Sequence, residues 1–183
     1  DISSTGIKIM AIDPKKWAVN GYGQLDLDPI KVRESLEDDE NTFLTDSIKT
    51  LLKDNIIGTV QGDRVAIAVP TSRSYTRTFV LPASAEKSLN EAVLLEAEQY
   101  IPIPVSTLYI DYQIIERDRK TIVVLMSAVS RLVIDNITRS VTNAGLMPVL
   151  IEPSINSVGR VLTSTEDGSL PTVIVDIGPA STD

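Results

Sequence analysis

The chain has 183 residues, enough for one ordinary domain or two small ones, and 43% of them are hydrophobic, enough to bury a core. Seventeen basic against 25 acidic side chains leave a net charge of −8, which argues against nucleic acid or an anionic membrane surface as the main partner. With no His and no Cys, a Ser-His-Asp triad, a Cys nucleophile, a His- or Cys-ligated zinc and a disulfide framework are excluded, so any catalysis must run on carboxylates, hydroxyls, lysine and a hard cation.

No run approaches the roughly 18 to 20 apolar residues that span a bilayer, and no basic segment leads into a signal peptide. The expectation is a cytoplasmic protein without direct membrane insertion. Phosphate ligands stay open, because backbone amides bind them without net positive charge.

The chain opens on Asp1-Ile2-Ser3-Ser4-Thr5-Gly6, a turn with nothing before it to turn from, which reads as the start of a fragment. Residues 7–12 alternate as a mostly buried strand, and residues 17–27 form a second, with Gly21 and Gly23 marking a bulge or bend. Residues 28–40 contain Pro29 and the acidic run 37–40, a solvated loop or short helix. Asn41 is placed to cap a helix with Leu44, Ile48, Leu51, Leu52 and Ile56 at helical spacing. Breakers at 58–63 precede a buried strand over 64–70.

Residues 74–81 alternate as a strand ending at Pro82, and a helix follows to Tyr100 with Leu89, Val93, Ala97 and Tyr100 on one face. Pro102 and Pro104 force extended backbone before a hairpin of 108–116 and 121–130, whose second arm is apolar on both faces and therefore central. A helix over 131–143 ends at Gly145. Strand 147–151, a helix from about Pro153 to Leu162 and strand 172–177 complete the order. This is an α/β core over 1–73 and 146–183, interrupted by a small βαββα module over 74–145.

Three constellations could carry chemistry. Asp1-Ile2-Ser3-Ser4-Thr5-Gly6 and Asp176-Ile177-Gly178-Pro179-Ala180-Ser181-Thr182-Asp183 each follow an Asp-Ile with small or hydroxylated residues. Such turns aim successive N–H groups and hydroxyls at phosphate oxygens, while the Asp can hold a hydrated Mg²⁺. Either turn alone is ordinary turn chemistry. The third is Leu150-Ile151-Glu152-Pro153-Ser154, which puts a carboxylate at a strand-to-helix junction, where it could simply complement the helix dipole.

In this order the three resemble the two phosphate motifs and the connecting motif of the actin-like nucleotide-binding fold. The middle of the chain narrows the likeness. Glu96-Ala97-Glu98-Gln99-Tyr100-Ile101-Pro102-Ile103-Pro104, Leu108-Tyr109-Ile110-Asp111-Tyr112-Gln113 and Asn143-Ala144-Gly145-Leu146-Met147-Pro148 are similar to the type IV pilus assembly protein PilM family. The likeness runs from about Arg64 onward, and residues 14–60 share little beyond element order.

The resemblance implies an actin-like (ribonuclease H-like) core with an inserted module similar to that of the cell-division protein FtsA, and a second lobe absent from this sequence. It implies ATP and Mg²⁺ between the lobes. Asp1 and Asp176 would face the metal; Ser3, Ser4, Thr5 and Gly6 would cradle phosphate from one side and Gly178, Ser181 and Thr182 from the other. Asp176 and Glu152 would orient water for any hydrolysis. Lys8 matches a lysine common after the first turn, with no role assigned. Two departures weigh against tight nucleotide binding: Ser3 stands where the family usually has Gly, a strain if φ there is positive, and Pro179 removes a donor.

The partner implied is the N-terminal cytoplasmic tail of a PilN-like inner-membrane protein, which would hold the chain peripherally at that membrane, with pilus assembly ATPases as further candidates. Helix 93–100 and strand 75–81 are the expected lining of the partner groove, against ordinary core packing for each residue. An ATPase driving an assembly cycle and a filament-forming actin-like protein are the alternatives.

Overall fold

Residues 1–164, 173–175 and 177 are described by the computed structural model. The chain divides into two units, one formed by Asp1–Thr71 with Asp135–Asp183 and the other by Ser72–Ile134. The expected insert ended at residue 145; the second unit ends within the helix Arg131–Asn143. From Asp135 onward that helix packs in the larger unit. Asn136 Nδ2 donates to Leu36 O at 3.0 Å, and Ile137 and Val141 are buried.

The larger unit begins with β1 (Ile2–Ser3), β2 (Gly6–Asp13) and β3 (Ala18–Asp26), joined in antiparallel order with β4 (Ile56–Gly58) at the far edge. β2 buries one face only: Ile7 is buried and Ile9 and Ala11 are half-buried, whereas Lys8, Met10 and Ile12 are exposed. The mostly buried strand expected over 7–12 is therefore a two-faced one. Of the bulge or bend expected here the structure has a bulge, where Ala11 faces Gly21 and Ile12 faces Val19, leaving Asn20 as the extra residue.

Two helices follow, the second packed on this sheet and the first on the second. α1 (Pro29–Glu37) starts where Asp28 accepts from the Ile30 and Lys31 amides, with Pro29 in the first turn, where its missing N–H costs nothing. It buries Val32, Ser35 and Leu36, while the acidic residues 37–40 stay exposed. α2 (Phe43–Asp54) starts where Asn41 accepts from the Phe43 amide at 2.9 Å, and it buries Leu44, Ile48 and Leu51. Ile56, read from its spacing as part of this stripe, lies in β4 instead.

β5 (Arg64–Val69) and β9 (Met147–Pro153) pair in parallel, and β1 lies beside β5. β9 runs through Pro153, which pairs with Val69, so α5 starts at Ser154 and ends at Ser164. The expected helix start at Pro153 gives way because a proline at a strand's last position removes no bond the ladder needs. Of the strand expected over 172–177, residues 173–175 are described and form no strand; Ile177 makes a lone bridge. No described strand takes up the backbone groups of 173–175, as a strand would require.

The second unit is a three-stranded antiparallel sheet in the order β6 (Ser74–Pro82), β8 (Thr121–Ser130), β7 (Leu108–Arg117), with α3 (Leu89–Tyr100) contributing to its core. As its two-sided apolar pattern requires, β8 is central. Ile122, Val124, Met126 and Ala128 point to the core shared with Leu89, Val93 and Ala97. The β7–β8 turn is fixed by Asp118, whose Oδ1 accepts from the Lys120 and Thr121 amides at 2.6 and 2.7 Å and whose Oδ2 accepts from the Thr121 hydroxyl.

These three bonds hold the Asp118 carboxyl below its usual range. A lowered folded pKa means that the turn is supported above the ordinary carboxylate pKa and loses that support as pH falls through the folded value. Measured relative to the intrinsic rate, which itself slows as pH falls, amide exchange at Lys120 and Thr121 is therefore expected to accelerate on acidification. In Asp118→Asn the acceleration should vanish.

Candidate functional site

The first candidate turn is short because its sequence is. Ser3 pairs with Gly6 across the hairpin, leaving Ser4 and Thr5 as the two connecting residues. The Ser3 hydroxyl donates to Gly6 O at 2.9 Å and accepts from the Thr5 amide at 3.4 Å, so it closes the turn on itself. Thr5 O accepts from Leu27 N at 2.8 Å, which ties the turn to the end of β3. Gly6 is required there, since a Cβ would lie 2.8 Å from Leu25 O.

The strain foreseen at Ser3 is not present: among the described residues Trp17 is the one non-glycine residue with positive φ. What the turn offers outward is the exposed Asp1 side chain and the hydroxyls of Ser4 and Thr5, which have no hydrogen-bond partner among the described residues. Asp1 and Lys8 exchange both backbone bonds at 2.9 Å, the Asp1 amino group donating to Lys8 O and Lys8 N to Asp1 O.

A cleft of about 700 Å³ opens beside this turn between β2 and β5. The buried side chains of Ile48 and Leu51 and the exposed Lys8 and Arg64 are among its lining. The cleft is mainly apolar, with two cations and the Asp1 carboxylate at hand.

Glu152 lies inside β9 rather than at its end, opposite Ala68. Its carboxylate is occupied: Oε1 accepts from the Ser157 hydroxyl at 2.6 Å, and Oε2 forms an ion pair with Arg160. Both partners sit on α5, so the acid fastens that helix to the strand before it. Asp176, Gly178, Ser181 and Thr182 lie outside the described residues. Among the described residues no group of three or more acidic side chains gathers around a common point that could hold a metal ion.

The expected groove residues divide between core and surface. Val93, Ala97 and Leu81 belong to the core of the second unit, whereas Leu94, Leu95 and Tyr100 stay exposed on α3. The Arg77 guanidinium stacks over the Tyr100 ring at 4.2 Å. On α3 the helical spacing separates Val93 and Ala97 from Leu94 and Leu95, whereas Tyr100, which that spacing puts on the buried face, stays exposed.

Comparison with known proteins adds the following. A family model described as type IV pilus assembly protein PilM matches residues 1–182. The fold is similar to a chain of the solved PilM-PilN type IV pilus biogenesis complex, with a TM-score of 0.77 and 21% identity over 90% of this chain and 49% of that one. It is also similar to the cytoplasmic domain of EpsL, an inner-membrane component of the type II secretion system of Vibrio cholerae, with a TM-score of 0.55 and 15% identity over 83% of this chain and 54% of that one. The chain spans about half the length of the structures it matches.

Proposed function

The chain belongs to the type IV pilus assembly protein PilM family, and on that premise we propose that it is an adaptor of pilus assembly that holds the N-terminal tail of a PilN-like inner-membrane protein. The α/β fold is that of an actin-like core with a small inserted unit. The observation that carries the reading is the family match over nearly the whole chain, supported by a fold likeness to PilM in a complex with PilN. Among the described residues no helix is long and apolar enough to cross a membrane. In this reading a cytoplasmic chain reaches the inner membrane through its partner, and pilus assembly ATPases are secondary partners.

The proposed cofactors are ATP and Mg²⁺, in a site completed by a further lobe. The first turn fits a phosphate in part, through the Ser4 and Thr5 hydroxyls, while the Ser3 hydroxyl is committed to the turn itself. Asp1 supplies one exposed carboxylate, and a hydrated Mg²⁺ needs only one or two. Glu152, tied to Ser157 and Arg160, is better placed to hold α5 than to activate water. Nucleotide therefore serves as a structural ligand in this reading, and turnover is the weaker alternative.

Titration calorimetry with a synthetic peptide copying the tail of the PilN-like neighbour tests the reading, with a scrambled peptide as control. Saturable heat is expected for the native peptide alone. If folded protein releases none, the partner site belongs elsewhere in the longer protein or depends on ATP. Asp176→Ala should alter peptide affinity when ATP is present, without phosphate release from either protein. Phosphate release by the parent chain that the variant abolishes would favour the ATPase reading.

A further inference from the structure

The β2–β3 hairpin differs in charge and surface from the rest of the chain. Its residues 6–26 carry three lysines and two aspartates, net +1 in a chain of net −8. From 14 to 25 there is no acidic residue at all. The overall net charge thus conceals a cationic tip at Lys15 and Lys16.

At its tip stands Trp17, 83% exposed. Its φ of 49° places a bulky side chain in the left-handed region, which costs free energy that no burial repays. The tip is held in this shape by Asp13, whose Oδ1 accepts from the Lys15 and Lys16 amides at 2.9 and 3.3 Å. Asp13 Oδ2 lies 3.9 Å from Lys16 Nζ, a surface contact that leaves the Lys16 side chain 79% exposed. Below the tip, the cross-strand pairs Ile12–Val19 and Met10–Tyr22 sit on the outer face of the sheet, each side chain about half exposed or more.

An exposed Trp flanked by two lysines, above a collar of aliphatic residues and a Tyr, has the chemistry of a membrane interface. Indole and phenol rings settle at the headgroup level, aliphatic side chains reach the acyl boundary, and lysines pair with anionic headgroups. We propose that the tip of this hairpin docks peripherally on an anionic phospholipid surface, with Trp17 entering the headgroup layer and Lys15 and Lys16 meeting its charge. A Debye length of about 8 Å at physiological salt screens acidic residues farther away, so the overall negative charge does not prevent the local contact. The inference does not rest on the partner or nucleotide proposed above.

Trp17 is the chain's single tryptophan, so its emission reports this site alone. The test mixes the protein with vesicles of phosphatidylcholine containing 30 mol% phosphatidylglycerol, at physiological salt, with pure phosphatidylcholine as control. A blue shift and co-sedimentation are expected with the anionic vesicles only, and both should fade in 0.5 M NaCl. Lys15→Gln with Lys16→Gln should weaken apparent binding about thirtyfold, on roughly fivefold per surface lysine, with an unchanged circular dichroism spectrum. An equal response to neutral vesicles, no response to anionic ones, or unaltered binding by the double variant would overturn the proposal. So would a blue shift that grows with protein concentration without lipid, because the tip would then be meeting a second copy of the chain.

Discussion

Replacing Met126 by alanine is expected to destabilise the inserted unit by about 2–5 kcal/mol, the cost of truncating a fully buried side chain whose site cannot close. Met126 is 1% exposed on the central strand β8, between Arg77 on β6 and Tyr112 on β7. It belongs to the core cluster that includes Val93 and Ala97 of α3. With neighbours on both flanks and a helix contributing to the same core, little can move into the space left behind. Val80→Ala supplies the contrast: at 61% exposure on an outer strand, it should change stability by no more than about 0.5 kcal/mol. Amide exchange in β8 is the measurement to use, because a chain of two units need not unfold in one step. Exchange in Met126→Ala no faster than in Val80→Ala would mean that the packing around β8 is not what holds this unit.

That β8 is central follows from its sequence, because Ile122-Val123-Val124-Leu125-Met126 has no polar face to turn to water. The helices were legible for related reasons: Asn41 before a stripe at helical spacing, and Gly145 in the left-handed conformation just past the helix Arg131–Asn143. β4 was not legible. Three residues carry too little pattern, and Ile56 continues the stripe of the helix before it. What makes it a strand is the close approach allowed by Gly21 and Gly23 on β3, far away in sequence.

The candidate site was legible as positions and much less as chemistry. The order of the two Asp-Ile turns and the Glu152 junction pointed to the actin-like fold, and the stretches 96–104, 108–113 and 143–148 to the family, whose model then matched residues 1–182. Motif order cannot say where a hydroxyl points. Ser3 spends its hydroxyl inside the turn, and Glu152 is claimed by Arg160, eight residues further on. The hairpin at 13–17 lay in the stretch with least family likeness, and its exposed tryptophan could not be told from a core one without coordinates.

Gly21→Ala should cost about 1–3 kcal/mol or more, the range for forcing extra volume into a packed region, and it should detach β4 before anything else. Gly21 pairs with Ala11 on one side and Gly58 on the other, directly after the bulged Asn20. A Cβ there would lie 2.6 Å from Thr59 N and 2.7 Å from its carbonyl carbon and oxygen. All three are backbone atoms, so no side-chain rotation relieves the clash and the strand itself must shift. The bond it would break is the one from Thr59 N to Asn20 O, 2.9 Å long, which closes the β3–β4 ladder. Three residues of strand cannot absorb that loss, whereas the longer β2–β3 ladder can. Faster exchange at the Thr59 and Ile57 amides, with the amides of Ile7 and Ile9, which pair with Leu25 and Gly23 in the β2–β3 ladder, unchanged, is the expected signature. Gly159→Ala in α5, where an added Cβ meets nothing within 4 Å, is the matched control: it should be neutral or stabilising by up to about 1 kcal/mol from helix propensity. If the two variants behaved alike, the close approach of β4 to Gly21 would not be what requires glycine at that position.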